Sequence, residues 1–362
     1  MKKITRRTFN TTLSMGVGAL ATLPKVAARQ PIVEKKLGIA LVGLGSYSQY
    51  QLAPALQETV YCELTGIVTG SPEKENMWRQ LYDIPKTNVY NYDNFDSIAD
   101  NPAIDIVYVV LPNSMHADFS IRAAKAGKHV ICEKPMAMNV KECDAIIAAC
   151  KKANVKLSVG YRLHSEPYTQ EVQRIVKEQD FGKPLFVSAD AAYISRGNPD
   201  QWRLNRKLSG GGALVNMGVY SIQSAIYGTG MNPISVTAQE FSTRPDYFKD
   251  TDETISAQLE FPNGVVGNIF TSHNASINRM YVSFEKGWLE LQPANNYGPL
   301  DGQTSKGPMP NFPQDRKQMG LQMDDFAKHI LEGTPNLVPG EMGKRDMIIV
   351  EAIYESIKKG GK

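Results

Sequence analysis

In His129-Val130-Ile131-Cys132-Glu133-Lys134-Pro135-Met136 a short apolar run stops at an acid, a base and a proline. Buried parallel strands read as such runs, and open α/β sheets bind ligands at the carboxyl ends of their strands. Pro135 keeps Lys134 out of the helical region, so the amine is held at the rim of the sheet. Glu133 beside it sets its orientation and charge, and a cofactor can lie under the pair. A surface turn carrying an ion pair is the other reading of these residues.

A second candidate lies upstream. The strand-like run at 37–44 leads into Gly43-Leu44-Gly45-Ser46-Tyr47-Ser48. Gly43 allows a tight turn, and Gly45 lets backbone approach a pyrophosphate seated on the next helix N-terminus. Ser48 stands where such a fingerprint usually has its third Gly or Ala. The strand at 62–68 ends in Thr69-Gly70-Ser71-Pro72-Glu73-Lys74. An NAD ribose asks for an acid at this point. Thr69, Ser71 and Lys74 offer two hydroxyls and a cation instead, a set suited to the 2′-phosphate of NADP. The same residues also cap the following helix. Leu111-Pro112-Asn113-Ser114-Met115-His116 closes a further strand, and His116 either touches the cofactor or starts the next helix.

These residues need a frame. Strands predicted at 37–44, 62–68, 104–111, 129–132 and 156–160 alternate with helices, including 117–126 and 140–153, in a doubly wound β-α-β-α-β pattern. After residue 185 the rhythm changes to strands at 186–193, 234–241, 255–261, 265–272, 281–285 and 288–292, with a hairpin signal at Pro262-Asn263-Gly264. Gly210-Gly211-Gly212 feeds a helix at 213–227, residues 295–316 read as loop, and helices are predicted at 322–332 and 343–359. The fold class expected is α/β: a Rossmann dinucleotide-binding domain at 37–160, then an α+β domain at 161–362 with a mostly antiparallel, open-faced sheet for substrate and oligomerisation. The last helix is free to pack back on the first domain.

The 362 residues hold 42% hydrophobic and 21% charged positions, ordinary for a globular protein. Residues 1–28 carry five of the cations and no acid; removing them takes the net charge from +3 to −2. No basic, aromatic-interleaved stretch argues for nucleic acid. Arg6-Arg7 before an apolar run at 13–23 and Val26-Ala27-Ala28 resembles a twin-arginine signal peptide, so the twin-arginine export machinery and a periplasmic location are expected, with a polar arm at 29–36. Cys62, Cys132, Cys143 and Cys150 form no C-x-x-C pair and read as buried apolar residues, with no metal site.

In order along the chain, Gly43-Leu44-Gly45, Leu-Pro-Asn-Ser-Met-His-Ala at 111–117, Glu133-Lys134-Pro135 within 126–137, Gly-Tyr-Arg-Leu-His at 160–164, Gln-Trp-Arg-Leu-Asn-Arg at 201–206 and Gly-Gly-Gly-Ala-Leu at 210–214 resemble the Gfo/Idh/MocA oxidoreductases, above all the exported glucose–fructose oxidoreductases. The resemblance implies that Lys134 sits near the nicotinamide and the reacting sugar carbon, with a cis peptide before Pro135. It implies a second catalytic residue at Tyr220, whose phenol takes a proton if Lys134 lowers its pKa. Asn216 stands where the family usually has Asp and orients a sugar hydroxyl. Trp202 and Arg203 are implied to reach the cofactor region, Arg162 lies at another strand end facing it, Tyr297 lies in a loop used near the active site, and His164 is a sugar ligand or a packed histidine. The activity implied is oxidation of an aldose at C1 to a lactone, with a retained NADP returning the hydride to a second sugar. A relative that breaks glycosides by transient oxidation and elimination, usually with NAD, and a non-catalytic sugar-binding protein are the alternatives. A homodimer or homotetramer is expected.

Overall fold

The computed structural model describes residues 35–361; the expected signal peptide and nearly all of the arm lie outside them. Six parallel strands build the first sheet: β1 (Leu37–Val42), β2 (Cys62–Val68), β3 (Val89–Tyr90), β4 (Ile106–Val109), β5 (His129–Cys132) and β6 (Leu157–Val159). Their spatial order is β3-β2-β1-β4-β5-β6. Strand order therefore reverses between β1 and β4, which opens a crevice at their carboxyl ends.

Both faces of this sheet are covered, so β1 is buried along its whole length and reads as one apolar run. Ala40, Val42, Val107, Val109, Val130 and Cys132 point to one side, toward α3 (His116–Lys125) and α4 (Val140–Lys152). Ile39, Leu41, Ile106, Tyr108 and Ile131 point to the other, where α1 (Ala53–Leu56, entered through a π-type turn at Ser48–Leu52) and α2 (Pro72–Tyr82) contribute Leu52, Ala53 and Trp78. This second face is completed from far away in sequence. Met319, Met323, Phe326 and Ala327 of α7 (Gln318–Glu332) complete the same cluster. Asp324 of that helix accepts from the backbone N–H groups of Val60 and Tyr61 at 3.0 and 2.8 Å. All four cysteines are free and buried.

The second sheet has eight strands in the order β14-β13-β12-β11-β7-β10-β9-β8. They are β7 (Pro184–Ala192), β8 (Ser235–Phe241), β9 (Thr254–Glu260), β10 (Val266–Ser272), β11 (Ile277–Phe284), β12 (Gly287–Leu291), β13 (Gly302–Thr304) and β14 (Gly307–Pro308). Pairing is antiparallel except for β7 with β10. The β9–β10 hairpin turns at Asn263 and Gly264, both at positive φ (65° and 77°), as the Asn-Gly signal requires. Val187, Ala189, Met280 and Val282 face α6 (Val219–Thr229) and α5 (Pro167–Glu178). The other face is half-exposed and carries Tyr281 stacked on Trp288 with ring centroids 5.9 Å apart. The final helix α8 (Gly340–Lys358) bridges the two domains, with Glu351 accepting from Val140 N–H at 2.8 Å and Ser356 from Ala238 N–H at 2.9 Å. The stretch at 295–316, expected to be loop, contains β13 and β14, and α5 has no counterpart in the sequence reading.

Candidate active site

A cavity of about 660 Å³ occupies the crevice beyond β1 and β4. Each strand end puts a different part of the chain into it. After β1, Gly43 has φ +96°, and a Cβ there would lie 2.5 Å from Val110 O. Only glycine fits that turn. A Cβ on Gly45 would meet nothing within 4 Å, so this backbone borders open space in front of the helix N-terminus. Ser48, in the place of the third glycine, is buried and donates to Gly43 O at 2.6 Å, closing the turn with its own side chain. The imperfect fingerprint is thus compatible with a dinucleotide cradle.

Past β2, Thr69 accepts from Ser71 N–H at 3.1 Å and Ser71 caps α2 by accepting from Lys74 N–H at 3.4 Å. Thr69, Gly70, Ser71 and Lys74 line the crevice together with Tyr92, and no acid is among these five. Capping and ligand recognition are therefore compatible at this strand end. Past β4, Leu111 and Asn113 line the cavity, and Asn113 Nδ2 donates to Ser209 O of the second domain at 2.7 Å. His116 begins α3 and is 1% exposed, with its ring nitrogens 2.8 Å from Pro135 O and 2.9 Å from Leu111 O. It ties the ends of β4 and β5 together.

Past β5 comes the Glu133-Lys134-Pro135 turn, with the expected cis peptide at Lys134–Pro135. Glu133 is buried, accepts from Tyr108 Oη–H at 2.8 Å and packs against Gly160, where a Cβ would lie 2.5 Å from its carboxylate. Lys134 Nζ donates to Asn216 O at 2.7 Å and stands 4.5 Å from the centre of the Tyr220 ring. Burial lowers the Lys134 ammonium to about 7; Glu133 opposes this, and the guanidinium groups of Arg203 and Arg162 add to it. Burial pushes the Tyr220 phenol up, with Arg162 the leading charge in opposition. The expected lowering of the phenol by Lys134 is thus not what the geometry gives, because the amine lies over the ring face. The group poised near neutrality is the lysine.

The second domain supplies the opposite wall. Trp202 and Arg203 line the crevice, with the guanidinium 4.4 Å from the indole. Asn216 and Tyr220 follow from the triple glycine, where a π-type turn at Leu214–Gly218 enters α6. Asp252 fixes that turn by accepting from Gly212 N–H, Leu214 N–H and Tyr354 Oη–H at 2.7, 2.8 and 2.6 Å. Tyr297, half-exposed, lies across the mouth from Tyr47 with ring centroids 5.9 Å apart. Arg162 is not at the surface of the cavity. It is buried behind it, 4.5 Å from the Tyr297 ring and 5.3 Å from that of Tyr220, donating to Asn295 O and Asn296 O at 2.6 and 2.8 Å. His164 is not brought to the crevice either. Its Nε2 lies 2.8 Å from Gln223 Oε1, one turn along α6 from Tyr220.

Two residues that the sequence reading lacked stand behind Asn216, whose Nδ2 is 3.1 Å from Tyr193 Oη and 2.9 Å from His273 Nε2. Tyr193 and His273 directly follow β7 and β10, the parallel pair. A ligand-facing strand end was the available signal, once those strands are known to be neighbours. Tyr92, Ser209 and Val215 also line the cavity without having been singled out.

Two family descriptions match this arrangement. "Oxidoreductase family, NAD-binding Rossmann fold" covers residues 37–161, and "GFO/IDH/MocA C-terminal domain" covers 169–290. The crystal structure of aldose-aldose oxidoreductase from Caulobacter crescentus, complexed with glycerol, is 41% identical, with a TM-score of 0.87 over 90% of this chain and 98% of that one. The chain belongs to the Gfo/Idh/MocA oxidoreductase family. Curated relatives include the NADP(+)-dependent D-xylose 1-dehydrogenase of Haloarcula marismortui, 27% identical over 90% of this chain and 92% of its own length. A trans-1,2-dihydrobenzene-1,2-diol dehydrogenase of Xenopus laevis is also 27% identical, over 82% and 88%. As a Gfo/Idh/MocA member the protein is an oxidoreductase with a nicotinamide-dinucleotide domain, and Gly43, Gly45 and the Thr69–Lys74 strand end are the residues that would hold the dinucleotide.

Proposed function

We propose that this protein is an NADP-dependent sugar oxidoreductase that retains its cofactor, oxidising an aldose at C1 to a lactone and reducing a second sugar in turn. The observation that carries the reading is Lys134, its amine fixed on Asn216 O across the domain boundary and lowered toward neutrality, in the same crevice that Lys74 lines. At this strand end the residues lining the crevice, Thr69, Gly70, Ser71, Lys74 and Tyr92, include no acid, which supports NADP over NAD, because a carboxylate facing the site would repel a 2′-phosphate. The aldose-aldose oxidoreductase likeness supports a two-sugar reaction.

Bound NADP supplies the hydride acceptor for the first sugar and the hydride donor for the second. As C1–H leaves with its electron pair, the neutral amine of Lys134 accepts the O1 proton, and the lactone carbonyl forms. In the return half the resulting ammonium gives that proton to the oxygen of the second sugar as its carbonyl is reduced. Tyr220 holds the sugar through its protonated phenol, and Asn216 directs an amide to a neighbouring hydroxyl. Asn216 carries no charge, so the amine alone moves the proton. Glu133 keeps Lys134 aimed and tempers its loss of charge.

Incubating purified enzyme with glucose and fructose, without added nucleotide, tests the reading. Equimolar gluconolactone and sorbitol are expected, with stoichiometric NADP in the denatured protein. Turnover that requires added nucleotide, or release of an aglycone from a glycoside with no net redox, refutes it. A retained cofactor suits a compartment without a free nucleotide pool, which favours the periplasm and twin-arginine export; assembly through the half-exposed sheet face into a homodimer or homotetramer completes the proposal.

A further inference from the structure

A second cavity, of about 900 Å³, lies further along α6, toward its carboxyl end, on the face that Tyr220, Gln223 and Tyr227 share. Two segments serve both spaces. Arg162 packs behind Tyr220, and His164, two residues later, lines the second cavity. Tyr220 lines the crevice, and Gln223 and Tyr227 of the same helix line the second cavity.

The polarity of its floor is fixed by a chain of hydrogen bonds. Asp346, 1% exposed, accepts from Arg345 at 2.8 Å and from the Gln223 amide nitrogen. That orients Gln223 Oε1 as the acceptor toward His164 Nε2 at 2.8 Å. Burial lowers the His164 pKa to about 4, so the ring is neutral and its single proton sits on Nε2. Nδ1 then carries a lone pair, on a side chain that is 8% exposed and lines the cavity. Such an atom calls for a ligand O–H. The walls add the Gln173 and Asn232 amides, which match hydroxyls in both directions, and the Tyr227 ring. The charged lining residues are Lys177, Lys183, Arg345 and Glu285. Arg345 is already paired with Asp346, so the two exposed lysines outweigh the one carboxylate.

We propose that this cavity is a second, non-catalytic binding site for a small polyhydroxylated carboxylate, a sugar acid. A hydroxyl of the ligand donates to His164 Nδ1, and its carboxylate lies toward Lys177 and Lys183. The assignment stands on the cavity's own groups and is independent of the redox reading.

Calorimetric titration of D-gluconate into the full-length protein with its nucleotide bound is the test. Binding is expected to persist in Lys134→Ala and to weaken about tenfold or more in the Lys177→Glu/Lys183→Glu double variant and on raising the salt. Sorbitol, with the hydroxyls but no carboxylate, is expected to bind at least about tenfold more weakly. His164→Phe removes binding; should that variant misfold, the lysine pair, at exposed positions, decides alone. No binding by the wild type up to about 10 mM gluconate, binding lost in Lys134→Ala but kept in the lysine pair, or equal affinity for sorbitol each overturns the proposal.

Discussion

Lys134 and Gly45 are the two residues whose chemistry can be tested one at a time. The Lys134 ammonium, lowered to about 7, is neutral above that pH and charged below it. Aldose oxidation is therefore expected to rise with pH through neutrality and level off above it, measured as kcat/KM for the oxidative half-reaction. Lys134→Ala lowers kcat roughly a hundred- to ten-thousand-fold and removes the rise. At Gly45 the space that a Cβ would enter is open, so Gly45→Val leaves the cofactor-free fold within about 0.5 kcal/mol of wild type. Its cost falls on the dinucleotide, about 1–3 kcal/mol of overpacking, or about five- to 150-fold in Kd, read by fluorescence titration. Both residues were legible in the sequence because their neighbours punctuate the chain: a proline after the lysine, a second glycine before the loop. His164 was ambiguous for the opposite reason. In the 3₁₀ turn Arg162–Ser165, residues two apart point to different sides, so one packs behind the crevice and the other leaves it.

At the scale of elements, the catalytic turn depends on the short segment that enters β9. Asp252 holds the triple-glycine turn, and its neighbour Glu253 accepts from Thr243 N–H at 2.9 Å, Arg244 N–H at 2.8 Å and Ser242 Oγ–H at 2.7 Å. Burial alone would raise the Glu253 pKa, but these hydrogen bonds and that of Asn274 overcome it and lower it to about 2. Because the folded value lies below the unfolded one, this stabilisation is complete above pH about 4.5 and fades as pH falls toward 2. Hydrogen-exchange protection at 242–253, taken relative to the unfolded rate at each pH, is expected to fall over that window, and Glu253→Gln to remove that fall. The β-α alternation of the first domain was readable because strands buried on both faces show as unbroken apolar runs. Tyr193 and His273 were not, because the pairing of β7 with β10 joins residues about eighty positions apart, and no local pattern records which strands become neighbours.

For the molecule as a whole, the first domain does not finish its own core. Phe326 is buried against the face formed by Leu37, Ile39 and Leu41, and Phe326→Ala is expected to cost about 3–5 kcal/mol in denaturant unfolding. A chain ending at residue 317 exposes that face and is expected to aggregate, read by light scattering, while the full chain stays dispersed. The sequence showed α7 as a helix, but its destination depends on a surface some 280 residues upstream. There is a biosynthetic corollary. While the ribosome is still making the second half, the finished nucleotide-binding half has a raw apolar side and no cover for it. Closure waits for α7 to emerge, so a nascent chain stalled before Gln318 is expected to be adhesive.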